Sequence, residues 1–467
     1  MIEKINDQVN SIVWGPPMLI LLVGAGIILT IVTAFIVFRK FGFILKNTFG
    51  RIFDKAAVGA DGITPFQAVS TALAATVGTG NIAGVATAIA SGGPGAVFWM
   101  WLAAIVGLTT KFAEVVLSIA YREKNEAGEW AGGPMYYIRN GTGMKWLGVI
   151  FAIFGALAAF GIGSMTQSNS ISAAMRETFN LNELLVGLVI AAGAAAVLIG
   201  GIKRIGEFAE KMVPIMAILY VLGALVILVI EANQIPRAFG LIFNNAFNLK
   251  AAGGGILGFT MMQAMRFGIA RGVFTNEAGL GSAPIAHAAA HTDHPVRQGI
   301  WGAFEVFIDT LVICTMTALV ILTSGVLEAD PTLTGAVLTT NAFATGFKGG
   351  GLIVTLGILL FAFTTIVAWC YYGQKCIEYL FGFKAIMPYT VVFIGTVIIG
   401  AVGGLTIIWD VSDTLNGLMA IPNLVGLIAL SGVVAKLTKD FFKDPTRIRT
   451  SPDEYEHLIK RHHQKKL

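Results

Sequence analysis

The chain has 467 residues, of which 55% are hydrophobic and only 13% are charged. Soluble domains usually carry about 25% charged residues, and the mean hydropathy here is +0.76. The composition therefore excludes a soluble globular protein and predicts an all-α polytopic membrane protein. Outside the C-terminal tail the sequence shows no basic soluble face, so we expect no nucleic-acid partner. The three cysteines, Cys314, Cys370 and Cys376, lie in or beside apolar segments and indicate neither a disulfide framework nor a CxxC site.

Windows of about 20 apolar residues predict eleven transmembrane helices. The first window is too long for the apolar core of a signal peptide and follows no basic segment, so we interpret it as a retained span. The seventh window is too long for one simple span. The predicted spans lie near 17–38, 66–90, 95–120, 147–175, 184–202, 207–231, 253–290, 298–324, 350–376, 386–407 and 413–436.

Lysine and arginine residues concentrate in alternate loops, which predicts the direction of the chain in the membrane. Cytoplasmic loops carry an excess of positive charge, so we expect the N-terminus outside and the C-terminus in the cytoplasm of a prokaryotic cell. We expect the basic tail to be solvated and surface-associated, with a helix starting at Thr450-Ser451-Pro452-Asp453; a specific partner site is the alternative. Before the tail, basic residues on the predicted cytoplasmic side are Arg39, Lys40, Lys46, Arg51, Lys55, Arg122, Lys124, Arg139, Lys145, Lys203, Arg204, Arg297, Lys375 and Lys384.

The stretch 71–90 combines the length of a membrane span with a poor helix interior. Its middle reads Gly78-Thr79-Gly80-Asn81, and glycine costs about 1 kcal/mol in a helix interior. Non-helical backbone persists at membrane depth only where protein, water or a ligand satisfies its polar groups. We therefore predict a discontinuous helix that binds a small solute and a cation. The alternative is a continuous helix whose glycines allow close packing.

A second glycine-interrupted segment stands at the matching position in the other half of the chain. Without the first span ten spans remain, and the sixth of them contains Gly268, Gly272, Gly279 and Gly281. Two interrupted helices at corresponding positions indicate a transporter site at the interface of two repeats, and five spans per repeat require an inverted second repeat. The predicted layout is an extra N-terminal helix with a basic link (1–60), two five-helix repeats (61–232 and 233–437) and a basic tail (438–467).

The segment from Gly92 to Gly107 reads GGPGAVFWMWLAAIVG and resembles, position for position, the signature of the alanine or glycine:cation symporter family. Three other stretches are similar to the same family: VGTGNIAGVATAI at 77–89, AGGPMYYI at 131–138 and RGVFTNEAGLGSAP at 271–284. The resemblance implies the leucine-transporter type of fold, with two inverted five-helix repeats, and import of alanine or glycine with sodium. We expect alternating access by a monomer in the lipid bilayer, with sodium as the coupling ion and no other cofactor.

A small amino acid is a zwitterion, so a dry binding site must satisfy both of its charges. Free N–H groups at the start of a half-helix hold a carboxylate, and unwound carbonyl groups hold an ammonium group or a sodium ion. We predict that the amides of Thr79, Gly80 and Asn81 bind the carboxylate, with the Thr79 hydroxyl as a helper. The carbonyls of Ala74 and Val77 are predicted to face sodium. A nucleotide-binding loop is disfavoured because no strand–helix–strand unit surrounds these glycines.

The ninth span carries adjacent hydroxyl groups on Thr364 and Thr365 inside an apolar run. Sodium is a hard cation that prefers oxygen ligands, and the resemblance to the leucine-transporter type implies that this pair lies beside the first broken helix. We predict both as sodium ligands, and Thr365 also as a substrate contact; the alternative is hydrogen bonding to the i−4 carbonyls. Trp369 lies one turn further on the same face. It either limits the pocket to a methyl side chain or faces lipid or core.

In the second broken helix, the sequence predicts that Phe267-Gly268-Ile269-Ala270 is unwound. This stretch would supply carbonyls to the substrate ammonium and an aromatic lid, so Phe267 and Gly268 are predicted substrate contacts. Charged residues at membrane depth are costly and mark functional positions by default. We interpret Arg266, Arg271 and Glu277 as gates or ion pairs near the cytoplasmic half.

Gln167 and Asn169 form a polar patch in the fourth span. Interhelical hydrogen bonding is the simpler role for such residues, and contact with the substrate is the alternative that we include in the predicted site. Both residues are therefore candidate substrate ligands.

Two further pairs of charged residues have helical spacing within apolar spans. Lys111 and Glu114 are three residues apart, and Glu305 and Asp309 are four apart. Residues at these separations are neighbours on a helix. We favour structural pairing over proton coupling for both pairs.

His287, His291, Asp293 and His294 have zinc-like spacing, but no HExxH motif accompanies them. We predict a solvated helix end here rather than a metal site. No GxSxG motif is present and the apolar spans contain no other histidine, so an intramembrane enzyme is disfavoured. A channel would more often show charged rings or repeated filter loops, which leaves a symporter as the preferred function.

Overall fold

The computed structural model describes residues 2–52, 62–247, 260–403, 406–449 and 453–462, and helices form nearly all of them. In the first half of the chain these helices are α1 (Ile2–Val13), α2 (Pro16–Val32), α3 (Ile36–Arg39), α4 (Phe41–Thr48), α5 (Pro65–Thr76), α6 (Val85–Gly92), α7 (Ala96–Ala120), α8 (Pro134–Tyr137), α9 (Lys145–Ala158), α10 (Thr166–Phe179), α11 (Glu183–Leu198), α12 (Gly201–Ile230) and α13 (Ile235–Ala246). In the second half they are α14 (Met261–Asn276), α15 (Pro284–His287), α16 (Pro295–Val306), α17 (Thr315–Ser324), α18 (Val326–Ala329), α19 (Gly335–Gly346), α20 (Gly350–Phe381), α21 (Ile386–Val402), α22 (Thr406–Ala429), α23 (Ser431–Phe441) and α24 (Asp453–Glu456).

Short irregular elements interrupt or join these helices. π-helical turns, which are frequent at functional sites, cover Gly80–Gly84, Ile138–Thr142, Ala159–Met165 and Phe307–Cys314. Turns of 3₁₀ helix cover Phe49–Arg51, Ala232–Gln234 and Phe383–Ala385. The two strands β1 (Glu123–Lys124) and β2 (Trp130–Ala131) pair antiparallel.

Within the described residues, eight helices with their continuations are long and apolar enough to cross a membrane. The number is nine if the bent pair Pro65–Thr76 and Gly80–Gly92 counts as one span. Two further predicted windows contain shorter helices: α11 has 16 residues, and α14 starts at Met261. The predicted span residues 253–259 lie outside the described part of the chain. A helical multi-pass architecture is therefore confirmed, whereas the count of eleven spans stays a prediction.

The two N-terminal helices pack on the outside of the bundle. α2 packs along α7, and α1 packs along α22. The indole nitrogen of Trp14 donates to the Asp413 carbonyl at 3.0 Å, and Asn10 Nδ2 donates to Thr414 Oγ1 at 3.0 Å. These bonds join α1 and the turn after it to the first half of α22, so the N-terminal pair is an addition to the bundle and not part of its centre.

Several loops that are predicted to be cytoplasmic meet at one end of the bundle. We call this end the tail side, because it carries residues 121–144, 288–297, 430–449 and 453–462, and we call the opposite end the far side. Arg122 Nη1 donates to the carbonyls of Ala288 and Ala290, at 2.9 and 2.6 Å. Helix α7 ends on the tail side, whereas α14 and α22 begin on the far side, as the course of the chain requires.

The C-terminal tail is bound to the tail side and is not simply solvated, so that prediction is wrong. The His462 N–H donates to the Asn140 carbonyl at 2.7 Å, and Arg461 Nη2 donates to the Ala120 carbonyl at 2.8 Å. A basic tail pairs with the carbonyl groups that helix ends leave unsatisfied, which explains the docking. The predicted helix start at 450–452 lies outside the described residues, and α24 follows it.

Candidate functional site

The first broken helix has the discontinuity that its glycines predict. α5 begins at a capping box, in which the Thr64 hydroxyl and the Gln67 side chain exchange bonds with each other's backbone N–H groups. It ends at Thr76, and the chain resumes as a π-helical turn from Gly80 to Gly84 before α6. The two halves meet at a bend of 51°. The alternative of a continuous, tightly packed helix is therefore wrong.

Neighbouring elements satisfy several backbone groups that the break exposes. The Gly78 N–H donates to Asn81 Oδ1 at 2.9 Å. The carbonyls of Asn81 and Ile82 accept from the hydroxyls of Thr317 and Thr339, at 2.8 and 3.0 Å. Unpaired backbone groups are costly away from water, so these side chains on α17 and α19 stabilise the broken conformation.

Of the two predicted sodium ligands on α20, Thr365 lies closer to the break. Its hydroxyl lies 3.1 Å from the Ala74 carbonyl, 3.3 Å from the Ala75 carbonyl and 2.9 Å from the Phe361 carbonyl. A side chain at Gly78 would not fit, because a Cβ there would lie 2.8 Å from Thr365 Oγ1. Four oxygen atoms thus converge where α20 passes the end of α5, which is the chemistry that a hard cation requires.

Thr364 faces a different neighbour, although it is adjacent to Thr365 in sequence. Its hydroxyl donates to the Phe361 carbonyl at 2.9 Å and lies 3.6 Å from Met216 Sδ on α12. Consecutive residues on a helix point about 100° apart, so only one of the two hydroxyls reaches the break. The structure therefore brings Thr365 to Ala74 but does not bring Thr364 there.

The two predicted polar residues of α10, Gln167 and Asn169, also face different neighbours. The Thr79 hydroxyl donates to Gln167 Oε1 at 3.2 Å, and Gln167 Nε2 donates to the Ile162 carbonyl at 3.0 Å. Asn169 Nδ2 instead donates to the carbonyls of Gly400 and Gly403, at 3.2 and 3.0 Å, at the end of α21. Residues two apart do not share a helix face, so the structure places Gln167 at the break and Asn169 away from it.

Asn81 is held in a buried polar cluster on the other side of the break. Its Nδ2 donates to Asp309 Oδ1 at 2.7 Å and to the Asp309 carbonyl at 3.2 Å. The second carboxylate oxygen of Asp309 accepts from the Thr310 hydroxyl at 2.7 Å, which in turn accepts from Asn276 Nδ2 at 3.0 Å. The Asn81 N–H donates to the Gly78 carbonyl at 3.3 Å. Asn81 and Asp309 therefore join the first break to the π-helical turn after α16.

The second break lies at 277–282 and not at 267–270, so the predicted position is wrong. α14 continues without interruption from Met261 to Asn276. Glu277 then has φ +56°, and Gly279 and Gly281 have φ of +92° and +85°, which is left-handed backbone that glycine adopts without strain. The glycines that break this segment are therefore those of the AGLGS sequence, about ten residues beyond the predicted stretch.

Gly268 packs against the start of α7, and Phe267 lies near the end of α6. A Cβ at Gly268 would lie 2.2 Å from the Ala96 carbonyl, so this glycine allows two helices to touch. Phe267 lies beside Gly92, at the end of α6. Both residues are more than two helical turns from the second break. The aromatic ring that does lie near the first break is Phe274, at 3.4 Å from a Cβ placed on Gly80.

Trp369 faces the interior of the bundle at the second break. Its side chain is 1% exposed, and its indole N–H donates to Glu277 Oε1 at 3.0 Å. The other oxygen of Glu277 accepts from the Ser282 hydroxyl at 2.5 Å. On its opposite side the Trp369 Cβ would lie 2.3 Å from a Cβ at Gly163. The ring is thus fixed between the π-helical turn before α10 and the second break, and it does not face lipid.

The charged residues of the inner bundle pair between helices, not along one helix as predicted. Lys111 Nζ on α7 lies 3.2 Å from Glu305 Oε1 on α16, and His287 Nε2 lies 3.1 Å from Glu305 Oε2. Gln298 Nε2 lies 2.8 Å from His287 Nδ1. All four side chains are fully buried. Glu114 instead accepts from the Gly279 N–H and from Asn423 Nδ2, at 3.0 and 2.6 Å.

The prediction of a solvated helix end at the histidine cluster holds for His291, which is exposed, but is wrong for two of its histidines. His287 and His294 are both fully buried. His294 caps α16, because its Nδ1 accepts the Val296 N–H at 3.1 Å, and burial, followed by the nearby Arg449 guanidinium, lowers the pKa of His294 to about 3. The neutral imidazole suits an acceptor role. Among the described residues no group of three or more His, Cys, Asp or Glu side chains could hold a metal ion.

Arg266 lies in the first half of α14 and Arg271 lies in the second half. The assignment of both arginines to gates or ion pairs near the cytoplasmic half stays a prediction. Each guanidinium lies over a neighbouring ring, at 5.8 Å from Phe267 and 5.5 Å from Phe274. Only Glu277, at the end of the helix, reaches the centre of the bundle.

The site contains residues that the sequence did not assign to it. Asp309 and Glu277 were recognised as charged residues at membrane depth, but their partners Asn81 and Trp369 are 228 and 92 residues away. Thr275 was not singled out, although its methyl group would lie 2.8 Å from a Cβ on Gly80. Its position two residues before the left-handed Glu277 is the sequence signal that could have identified it.

Comparison with known proteins places nearly the whole chain in one family. The model of the sodium:alanine symporter family matches residues 1–454. The sodium/alanine symporter AgcS of Methanococcus maripaludis is 51% identical over 442 residues, which cover 93% of this chain and 96% of that relative. The probable sodium/glutamine symporter GlnT of Bacillus subtilis is 38% identical over 466 residues, covering 99% of this chain and 95% of GlnT.

Solved structures share the fold. The crystal structure of MhsT in complex with L-phenylalanine aligns with a TM-score of 0.53 at 14% sequence identity, covering 86% of this chain and 95% of MhsT. At this identity the likeness shows a shared transporter fold alone. The family match and the similar relatives show that the chain belongs to the sodium:alanine symporter family. With its membrane-length helices, the chain is a multi-pass, sodium-coupled amino-acid symporter and not an enzyme.

Proposed function

We propose that the chain imports a small neutral amino acid, alanine or glycine, together with sodium by alternating access. The observation that carries the proposal is the first break, where the carbonyls of Ala74 and Ala75 at the end of α5 lie within 3.3 Å of the Thr365 hydroxyl. The relative AgcS, named as a sodium/alanine symporter, is 51% identical to this chain. GlnT is named as a probable sodium/glutamine symporter, so we propose that differences in the binding pocket set the substrate size within the family.

The proposed sodium site consists of the carbonyls of Ala74 and Val77 with the hydroxyl of Thr365. Oxygen ligands suit a hard cation, and the unwound end of a half-helix supplies carbonyls whose helical partners are missing. Thr364 belonged to the predicted set, but its contact with Met216 gives it no support as a ligand. Sodium is the coupling ion of the proposal, and no further cofactor is required.

The proposed amino-acid site lies on the other face of the same break. The N–H groups of Thr79 and Gly80 stand at the start of a half-helix, where the first donors have no intrahelical partner and the helix dipole favours an anion. Gln167 touches the Thr79 hydroxyl and completes the polar wall. Trp369, held by Glu277, is the proposed limit on side-chain size.

The wider architecture in the proposal is an extra N-terminal helix followed by two inverted five-helix repeats, eleven spans in all. The extra helix and link occupy 1–60, the repeats occupy 61–232 and 233–437, and the tail occupies 438–467. The basic loops on the tail side support an N-terminus outside and a C-terminus in the cytoplasm of a prokaryotic cell. The transporter is proposed to work as a monomer.

In vesicles that contain the purified full chain, an inward sodium gradient is expected to drive accumulation of labelled alanine. Potassium in place of sodium is expected to abolish accumulation, because the proposed site couples the two solutes. A competition panel of glycine, alanine, serine and glutamine at two sodium concentrations would then rank the substrates. Equal uptake with and without the sodium gradient would overturn the proposal.

Replacing Trp369 with alanine is expected to admit larger neutral amino acids. The leucine concentration that halves alanine uptake should fall about tenfold or more, since one methylene of space in an apolar pocket changes discrimination by about 10–200-fold. The measurement is competition of unlabelled leucine against labelled alanine. Trp369→Phe, which keeps a large ring, and Glu277→Gln, which keeps an acceptor for the indole, are expected to retain the original ranking. An unchanged ranking in Trp369→Ala would place the size limit elsewhere.

A further inference from the structure

The first half of the broken helix, α5, lies between the break and the tail side. The Ile63 N–H, just before α5, donates to the Ala289 carbonyl at 3.1 Å, and the Ile63 carbonyl accepts from the His291 N–H at 2.8 Å. These bonds form a parallel bridge to the segment 288–297, which we call the inner loop. In alternating access, part of the bundle around the site moves to open the site to one end. Movement of α5 must therefore either break this bridge or carry the inner loop with it.

The C-terminal tail binds the same inner loop through charged side chains. The Arg449 N–H donates to Asp293 Oδ2 at 3.1 Å, and Arg297 Nη2 donates to the Arg447 carbonyl at 3.1 Å. Asp293 and Arg297 also pair with each other. The charged pair of the inner loop therefore holds the first described segment of the tail.

Further along, the tail is bound to a part of the tail side that does not belong to the inner loop. Arg461 Nη2 donates to the Ala120 carbonyl, at the end of α7, at 2.8 Å. The hydroxyl of Tyr121, the next residue, donates to the Lys460 carbonyl at 3.3 Å. The tail therefore connects the inner loop, and through it the start of α5, to the end of α7.

The last described segment of the tail is attached mainly by polar bonds. Among residues 454–462 only Tyr455 is buried, and its ring lies 5.1 Å from the His294 ring, measured between centroids. The Arg461 side chain is 20% exposed, so water can replace its bond when the tail lifts away. Segments with few buried apolar contacts open at a low cost in free energy. The tail is thus suited to reversible detachment.

We propose that the C-terminal tail is a latch that holds the tail side of the transporter closed. While Arg449 and Arg461 are bound, the inner loop and the start of α5 stay joined to the end of α7. Release of the tail frees the inner loop to move with α5, and the site opens to the tail side. The proposal rests on the alternating access proposed above, since a latch has a role only where the two ends open in turn.

The rate at which a water-soluble maleimide modifies a buried cysteine on α5 measures the opening of the tail side. Ser70 lies on α5 between the inner loop and the break and is fully buried, so Ser70→Cys is the reporter in the purified full chain. The three native cysteines are buried, and the protein without the reporter gives the background rate. We expect Arg461→Gln to raise the rate at the reporter about tenfold, because one bond from a charged group changes an equilibrium by about that factor.

Two controls separate the latch from general loosening of the protein. Arg447→Gln is the matched variant, since the Arg447 side chain pairs with Glu454 inside the tail, and it is expected to leave the rate unchanged. Thr355→Cys is a second reporter, which is buried at the far side beside Thr178. Opening of the tail side alone is not expected to raise its rate, whereas loss of packing would raise the rates at both reporters.

The outcomes distinguish failure of the latch from failure of alternating access. In the Ser70→Cys protein, sodium in place of potassium is expected to slow modification, because the proposed sodium site joins α5 to α20. Rates that respond to neither sodium nor alanine at either reporter would overturn alternating access. A sodium response with an unchanged rate in Arg461→Gln would overturn the latch, as would faster modification at both reporters. If Arg461→Gln does not fold, Arg297→Gln, which removes the bond to the Arg447 carbonyl, carries the same test.

Discussion

Thr365→Ala is expected to raise the sodium concentration for half-maximal alanine uptake by about 10- to 100-fold. The change removes one oxygen from the convergence of the Thr365 hydroxyl with the carbonyls of Ala74, Ala75 and Phe361. Bonds to charged groups contribute about 1.5–3 kcal/mol, and each 1.4 kcal/mol corresponds to a factor of ten in affinity. The measurement is initial uptake rate against sodium concentration at fixed alanine.

Two matched variants separate sodium binding from general damage to α20. Thr365→Ser keeps the hydroxyl and is expected to stay close to the original sodium dependence. Thr364→Ala removes a hydroxyl that contacts Met216 and not the break, so its sodium dependence should also be unchanged. If Thr365→Ala behaves like Thr364→Ala, Thr365 is not a sodium ligand.

Lys111→Met is expected to destabilise the folded protein by about 3–5 kcal/mol, the usual cost of breaking a buried ion pair by removing one partner. Lys111 Nζ lies 3.2 Å from Glu305 Oε1, and both side chains are fully buried. Without Lys111, the Glu305 carboxylate keeps its contact with His287 and loses its contact with the ammonium group. The measurement is equilibrium unfolding of the purified chain in mixed detergent micelles.

The double variant Lys111→Met with Glu305→Gln tests whether uncompensated charge causes this loss. It removes both charges and keeps a side chain of nearly the same shape beside His287, so it is expected to be more stable than Lys111→Met alone. Additive losses in the double variant would show that the two residues do not interact. A loss below 1 kcal/mol in Lys111→Met would show that the pair contributes no more than a surface contact.

The sequence was sufficient for the features that local chemistry determines. Gly78 and Gly80 lie in the middle of an apolar span, and together with Asn81 they disfavour a continuous helix there, so the first break was predictable. The basic loops likewise predicted which ends of the helices lie together, as the contact of Arg122 with Ala288 and Ala290 illustrates. These inferences need only composition and spacing.

The remaining features depend on which helices touch, and spacing carries little information on that. Gly268 and Gly279 are equivalent as letters, but one packs against the Ala96 carbonyl and the other adopts φ +92°. Lys111 has a carboxylate three residues away and still pairs with Glu305, 194 residues distant. A helix presents each residue to a different neighbour, so the identity of the neighbour decides its role.

The docked tail has a consequence for how the chain is completed during synthesis. The carbonyl of Ala120 and the Arg461 side chain that binds it are 341 residues apart. At a translation rate of about 5–20 residues per second, roughly 17–70 s pass between the synthesis of Ala120 and that of Arg461. Every predicted span has left the ribosome before His462 reaches Asn140. A nascent chain that stops before Arg461 would therefore contain all of its predicted membrane helices. Its tail side would lack the bonds from Arg461 to the Ala120 carbonyl and from His462 to the Asn140 carbonyl.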